Sequence, residues 1–265
     1  MPLLVDVHAH LDHTDFSKDI DAVIERARAA GVRAIIAQGV NHESNLAVLA
    51  LAKKYDIVKA ALGLYPLDAL NVKVDEQHFS EEPSLPRTKV GVDATLNFIE
   101  QHNDSIIAIG EVGVDAKFST DLAAQRENFQ KIIKLSLRIK KPLIVHSRKA
   151  ELDTIEMLEA SKCKQAMMHC FGGKLKLAKR IEDNGWMVSI PPCVVRSSHF
   201  QELVKRVNIN HLLTETDCPY LGPEPGKRNE PANVIESVKM IAQIKKMTVE
   251  DTANAIFHNY QTLFL

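Results

Sequence analysis

No stretch of this 265-residue chain reaches the roughly 18 consecutive apolar residues of a membrane span. Neither sign of charge dominates. Lys and Arg number 33, Asp and Glu 34, and the net charge of -1 gives no electrostatic case for a broad phosphate-binding surface. A local basic patch or metal ions could still hold phosphate. Cysteine is scarce: Cys163, Cys170, Cys193 and Cys218 form no C-x-x-C pair. They read as free thiols of a reducing compartment, so a cytoplasmic protein is expected. The start, Met1-Pro2-Leu3-Leu4-Val5-Asp6, has no basic segment or cleavage site of a signal peptide. No Gly-rich nucleotide loop follows the first apolar stretch.

The first motif that is present is Val5-Asp6-Val7-His8-Ala9-His10. Its period-two alternation predicts a strand, with His8 and His10 on one face and able to grip one ion. The rhythm of strand and helix then repeats. Strands are expected near 32–38, 57–64, 105–110, 142–145, 165–168, 186–190 and 211–214. Helices are expected between them, one capped by Ser17 and ended by Gly31, others near 43–55, 91–102, 122–139, 149–160, 173–183 and 198–207. Two more, near 232–245 and 249–258, close the chain, the last with a capping-box-like Thr248 and Asp251. Eight strand–helix units in this length predict an α/β fold, a (β/α)8 TIM barrel, as one domain over 1–265. From Tyr65 to Lys89 the periodicity fails; prolines and an acidic cluster at Asp75, Glu76, Glu81 and Glu82 predict a long irregular loop after the third strand.

In such barrels the site lies at the C-terminal ends of the strands. Those ends carry His8 and His10, Glu111, His146, His169 and Asp217, all imidazole or carboxylate ligand types. Six ligands exceed what one catalytic zinc takes and suit two ions, with Glu111 as the candidate bridge. Zinc, magnesium and manganese all fit mixed ligation of this kind. Asp217 could hold an ion and also orient, or take a proton from, an attacking water. Arg148 could contact a phosphate oxygen or form a surface ion pair. Tyr65 could donate to a phosphate or simply wall the pocket. Asp6 is expected to orient a ligand histidine, Glu215 to be structural or to support a ligand, and Asp115 and Arg228 to brace loops.

These motifs also carry a resemblance. The chain resembles the TatD-like metal-dependent deoxyribonucleases of the amidohydrolase superfamily in Asp6-Val-His-Ala-His10, Gly110-Glu-Val-Gly-Val-Asp115, Val145-His-Ser-Arg148, His169-Cys-Phe-Gly172, Glu215-Thr-Asp-Cys-Pro-Tyr-Leu221 and Arg228-Asn-Glu-Pro231, in the family's order. The resemblance implies that His8, His10, Glu111 and Asp217 hold one divalent ion and Glu111, His146 and His169 a second. It implies a phosphodiesterase acting on DNA by metal-activated water attack, with Asp217 and Glu111 catalytic and Tyr65 and Arg148 on the substrate side. The family reads Gly-x-His-Pro-His after the third strand, where this chain reads Gly63-Leu64-Tyr65-Pro66-Leu67. The substrate side therefore has to be read from this chain's own residues. The alternative is a hydrolase of the same superfamily acting on a small ester, lactone or amide. A binding protein with a structural metal and a trinuclear phosphatase-type site fit the six residues less well. No protein partner or membrane association is indicated.

Overall fold

The barrel is closed by its first and last strands. In the computed structural model, which describes residues 2–70 and 90–265, eight parallel strands pair in chain order: β1 (Leu4–Ala9), β2 (Val32–Gln38), β3 (Val58–Leu62), β4 (Ala108–Gly113), β5 (Leu143–His146), β6 (Ala166–Met168), β7 (Met187–Ile190) and β8 (Leu212–Thr214). Thr214 Oγ1 donates to Val5 O at 2.7 Å, Asp217 N to His8 O at 2.8 Å and His10 N to Cys218 O at 3.0 Å. These bonds give the nearly closed (β/α)8 barrel that the alternating pattern predicts.

The strands are buried along almost their whole length, as a parallel sheet covered by helices requires. Around them lie α1 (Ile20–Ala30), α2 (His42–Lys54), the short α3 (Pro66–Ala69), α4 (Val92–Gln101), α5 (Leu122–Ile139), α6 (Glu151–Ala160), α7 (Ala178–Asp183), α8 (Ser198–Arg206), α9 (Val234–Lys245) and α10 (Val249–Phe264). Gly31, in the left-handed region at φ 98°, ends α1 as expected. Thr248 accepts from Asp251 N at the start of α10.

Several boundaries differ from the sequence expectation: α3 forms where the irregular loop was expected to begin, and α7 starts at Ala178 after a 3-10 turn at Leu175–Leu177, later than expected. Ser17 does not cap α1; a 3-10 turn at Thr14–Phe16 precedes it, with Phe16 fully buried, and the helix starts after Asp19. Strand β4 does not stop at Gly110 but runs through Glu111 to Gly113. Helix α10 continues to Phe264, because Tyr260, Leu263 and Phe264 extend its buried face beyond His258. The acidic cluster at Asp75, Glu76, Glu81 and Glu82 lies outside the described residues. Among the described residues no helix is long and apolar enough to cross a membrane.

Candidate metal centre

All six predicted ligands meet at the C-terminal end of the barrel. His8 lies within β1 and is fully buried, and His10 follows the strand. Glu111 projects from the middle of β4, His146 is the last residue of β5, His169 directly follows β6, and Asp217 follows β8. Local contacts hold these positions. The Asp6 carboxylate accepts from Thr216 N at 2.8 Å, Thr216 Oγ1 at 2.5 Å and His8 N at 3.3 Å, which locks β1 to the turn carrying Asp217. Asp6 thus places His8 through the main chain and not through the imidazole, whose buried Nδ1 has no hydrogen-bond partner among the described residues. Two glycines allow the strands to approach. A Cβ on Gly63 would lie 2.5 Å from Glu111 N, and one on Gly113, at φ +147°, would lie 1.9 Å from His146 O.

Four donor atoms converge in the first group. His8 Nε2 and His10 Nε2 are 3.3 Å apart; Glu111 Oε2 is 3.4 and 3.5 Å from them, and Asp217 Oδ1 3.4 and 3.3 Å. The two nitrogens form a near-equilateral triangle with either oxygen. A point about 2 Å from all three atoms exists in each triangle, the distance at which zinc takes nitrogen and oxygen ligands. The donor chemistry fits a divalent ion, since two lone-pair nitrogens and two carboxylate oxygens repel one another unless a cation or protons lie between them.

The second group faces the other oxygen of the same glutamate. Glu111 Oε1 is 2.7 Å from His146 Nδ1 and 3.7 Å from His169 Nε2. The His169 ring also stacks on His8, with His8, Glu111 and His169 offering atoms close enough to share an ion. The far nitrogen of each outer imidazole meets a carboxylate: His146 Nε2 lies 2.9 Å from Asp115 Oδ2, and His169 Nδ1 lies 2.8 Å from Glu215 Oε2. A carboxylate accepts only, so each far nitrogen carries a proton, which leaves the inner nitrogen, beside Glu111, as the one that could hold an ion. Asp115 does brace its loop, accepting from Lys117 N at 2.8 Å and Phe118 N at 3.1 Å, but its contact with His146 was not anticipated. The signal was there: Asp115 lies four residues after Glu111, on the same parity. Arg228 bonds Asp15 O and Asp19 and braces the β1 loop, as expected.

The charges match this arrangement. Burial opposes ionisation of Glu111, but hydrogen bonds from His146 and His8 overcome it and hold the carboxyl well below its usual range. Burial likewise opposes, and His10 outweighs, so Asp217 is also lowered. Burial works against a charged His10, and Asp217 raises it to about 9; Glu215 and Asp217 do the same for His169, also to about 9. His8 is lowered by burial and by its neighbour His169. Lowered carboxylates and raised imidazoles thus stand side by side.

Beside the second group, Tyr65 is partly buried and its hydroxyl donates to Asp115 Oδ2 at 3.0 Å. Arg148 lies 5.5 Å over the Phe118 ring, on which Lys117 also sits at 4.7 Å. Phe171 is fully buried in the core. Opposite, Tyr220 Oη meets His13 Nε2 at 3.2 Å and the Tyr220 ring stands edge-on to His10. Sequence reasoning did not find Tyr220.

A parallel barrel with imidazoles and carboxylates gathered at its C-terminal rim defines a class, that of the metal-dependent hydrolases. Comparison with known proteins narrows it. Residues 5–265 match the family described as TatD related DNase. The chain is 35% identical to deoxyribonuclease TATDN3 of Homo sapiens over 98% of this chain and 94% of that protein. It is 36% identical to an uncharacterized metal-dependent hydrolase of Methanocaldococcus jannaschii, over 96% of this chain and 94% of the other. The crystal structure of YJJV, a TatD homolog from Escherichia coli K12, matches with a TM-score of 0.85 at 28% identity, covering 98% of this chain and 97% of that one. The chain belongs to the TatD-related DNase family.

Proposed function

We propose that the chain hydrolyses phosphodiester bonds of DNA or nucleotides with two divalent ions, zinc, magnesium or manganese. The observation that carries this reading is the division of Glu111, with Oε2 among His8, His10 and Asp217 and Oε1 between His146 and His169. His8, His10, Glu111 and Asp217 would hold one ion, and Glu111, His146 and His169 the other. When bound, such ions polarise a phosphoryl oxygen and make water a nucleophile near neutral pH. Asp217, ionised and at the mouth of the site, orients that water through its carboxylate and accepts its proton. Asp115 and Glu215 keep the ligand nitrogens deprotonated on the inner side. Arg148, two residues after His146, donates to a phosphate oxygen, and the exposed edge of Tyr65 lines the pocket. The four free thiols suit a reducing compartment, and we place the protein in the cytoplasm.

The balanced charge favours one second reading, hydrolysis of a small ester or lactone at the same site. The test for both is cleavage of DNA, and of a panel of nitrophenyl phosphodiesters, esters and lactones, by metal-stripped protein after adding Mg²⁺, Mn²⁺ or Zn²⁺, beside Asp217→Asn. The proposal expects metal-dependent DNA cleavage reduced about 100-fold or more in the variant. Intact DNA together with ester or lactone turnover would replace it by the second reading.

A further inference from the structure

Tyr65 approaches the centre from outside the six ligands, and its hydroxyl is aimed at Asp115 instead of the open mouth. Asp115 is held from every side. Its backbone N–H donates to Gln125 Oε1 at 2.7 Å, Gln125 Nε2 returns a bond to Asp115 O at 3.0 Å, and Oδ1 takes the amides of Lys117 and Phe118. Its other oxygen, Oδ2, accepts both from His146 Nε2 at 2.9 Å and from Tyr65 Oη at 3.0 Å. The phenol is itself fixed: its ring stands edge-on to His146, 4.9 Å away at 72°, and Tyr65 N donates to Val40 O at 2.8 Å.

We propose that Tyr65 is a positioning residue for the ion held at His146. Its hydroxyl pins Asp115 Oδ2 and thereby fixes the His146 ring with Nδ1 turned to Glu111. The inference rests on the two-ion reading above. Geometry gives the direction of each bond. The carboxylate can only accept, so the phenol donates. Two donors on one oxygen leave that oxygen no freedom to swing, and the imidazole follows it. Outer partners of this kind are worth roughly 10- to 100-fold in metal affinity. The ion at His8 and His10 shares only Glu111 with this chain of bonds, through the carboxylate's other oxygen, and keeps its affinity.

The test is titration of the metal-stripped full chain with Co²⁺, read by d–d absorption and by competition with a chromophoric chelator. Wild type is expected to take two equivalents. Tyr65→Phe keeps the first at wild-type affinity and weakens the second roughly 10-fold or more. Asp115→Asn serves as the second variant. Its amide N–H turned to His146 Nε2 moves the ring proton to Nδ1 and removes the second equivalent. His146→Gln also removes it, and adding Tyr65→Phe to that background changes nothing further. Two equivalents of unchanged affinity in Tyr65→Phe would overturn the inference alone, as would a weakened first equivalent in the double variant, which marks a general packing role. Fewer than two equivalents in wild type would overturn the two-ion reading and the inference with it.

Discussion

The imidazoles of His8 and His169 lie face to face, ring centroids 3.6 Å apart and planes within 11°. One comes from β1 and the other from the end of β6, so only the closed barrel brings them together. Two stacked imidazolium cations would repel at this distance, and the pair divides its charge accordingly. His169, backed by Glu215, takes the proton, while His8 is pushed toward the neutral form. His8 is thereby held toward the neutral form, the form in which an imidazole binds a metal.

Glu215 sets the orientation of His169, and Glu215→Gln is expected to invert it. Cys170 N donates to Glu215 Oε1 at 2.9 Å, so a glutamine would keep its oxygen there and turn its amide N–H toward His169 Nδ1. The ring proton would then move to Nε2, the nitrogen that faces Glu111. Metal affinity should fall about 10- to 100-fold. Titration of metal-stripped wild type and variant checks this, and equal affinities would show that the carboxylate does not set the tautomer.

Gly113→Ala is expected to cost about 2–4 kcal/mol, because it combines a positive φ with a Cβ driven into the His146 carbonyl 1.9 Å away. The same change at Gly91, where nothing lies within 4 Å, should cost less than about 1 kcal/mol. Urea unfolding of both variants measures the contrast. Similar losses at the two positions would mean that the β4–β5 contact relaxes around the methyl group.

The six candidate strand-end ligands were legible in the sequence because a barrel delivers them by one rule: strand period and the repeated strand–helix unit suffice to locate His8, His10, Glu111, His146, His169 and Asp217. The partners behind them were not. Parity put Asp115 on the side of Glu111 and Glu215 on that of Asp217, but which imidazole each carboxylate meets depends on how β4, β5, β6 and β8 stand beside one another in three dimensions. Asp6 meets the His8 amide and the Thr216 amide and hydroxyl, and not an imidazole. The end of α10 was misread because His258 and Asn259 interrupt the apolar pattern. Asn259 is in fact buried, donating to Ile209 O and Leu212 O, and the helix runs past it.

Asp19 links loop stability to pH. Both its oxygens take Arg228, at 2.8 and 2.7 Å, and Arg26 adds a contact at 3.4 Å. Arg228 first, and then Arg26, hold its carboxyl at about 2, against 3.8 for a free aspartate. A folded-state pKa below the unfolded one gives stabilisation that is present above about pH 4 and is lost as pH falls toward 2. The melting temperature of Asp19→Asn should therefore lie slightly below wild type at pH 7, with the gap closing between pH 4 and 2. Because the pair is exposed, 1 M salt should shrink the gap at neutral pH. A gap that is constant with pH would assign the loss to packing.

Removing divalent ions should lower the melting temperature, and the reason lies in where the ligands stand along the chain. His8 and His10 lie near its start and Asp217 near its end, so the unfolded chain scatters the donors and only the folded barrel gathers them. An ion that binds only the folded form stabilises it by about 4 kcal/mol at a thousand times its dissociation constant, a rise on the order of 10 °C for a chain of this size. Thermal melts of the chelated protein against increasing Zn²⁺ or Mn²⁺ should show that rise. Glu111→Gln, which removes a carboxylate shared by both groups, should flatten it while leaving the chelated protein folded. Wild-type protein that melts at one temperature with and without saturating ion would mean that the converging imidazoles and carboxylates hold only protons.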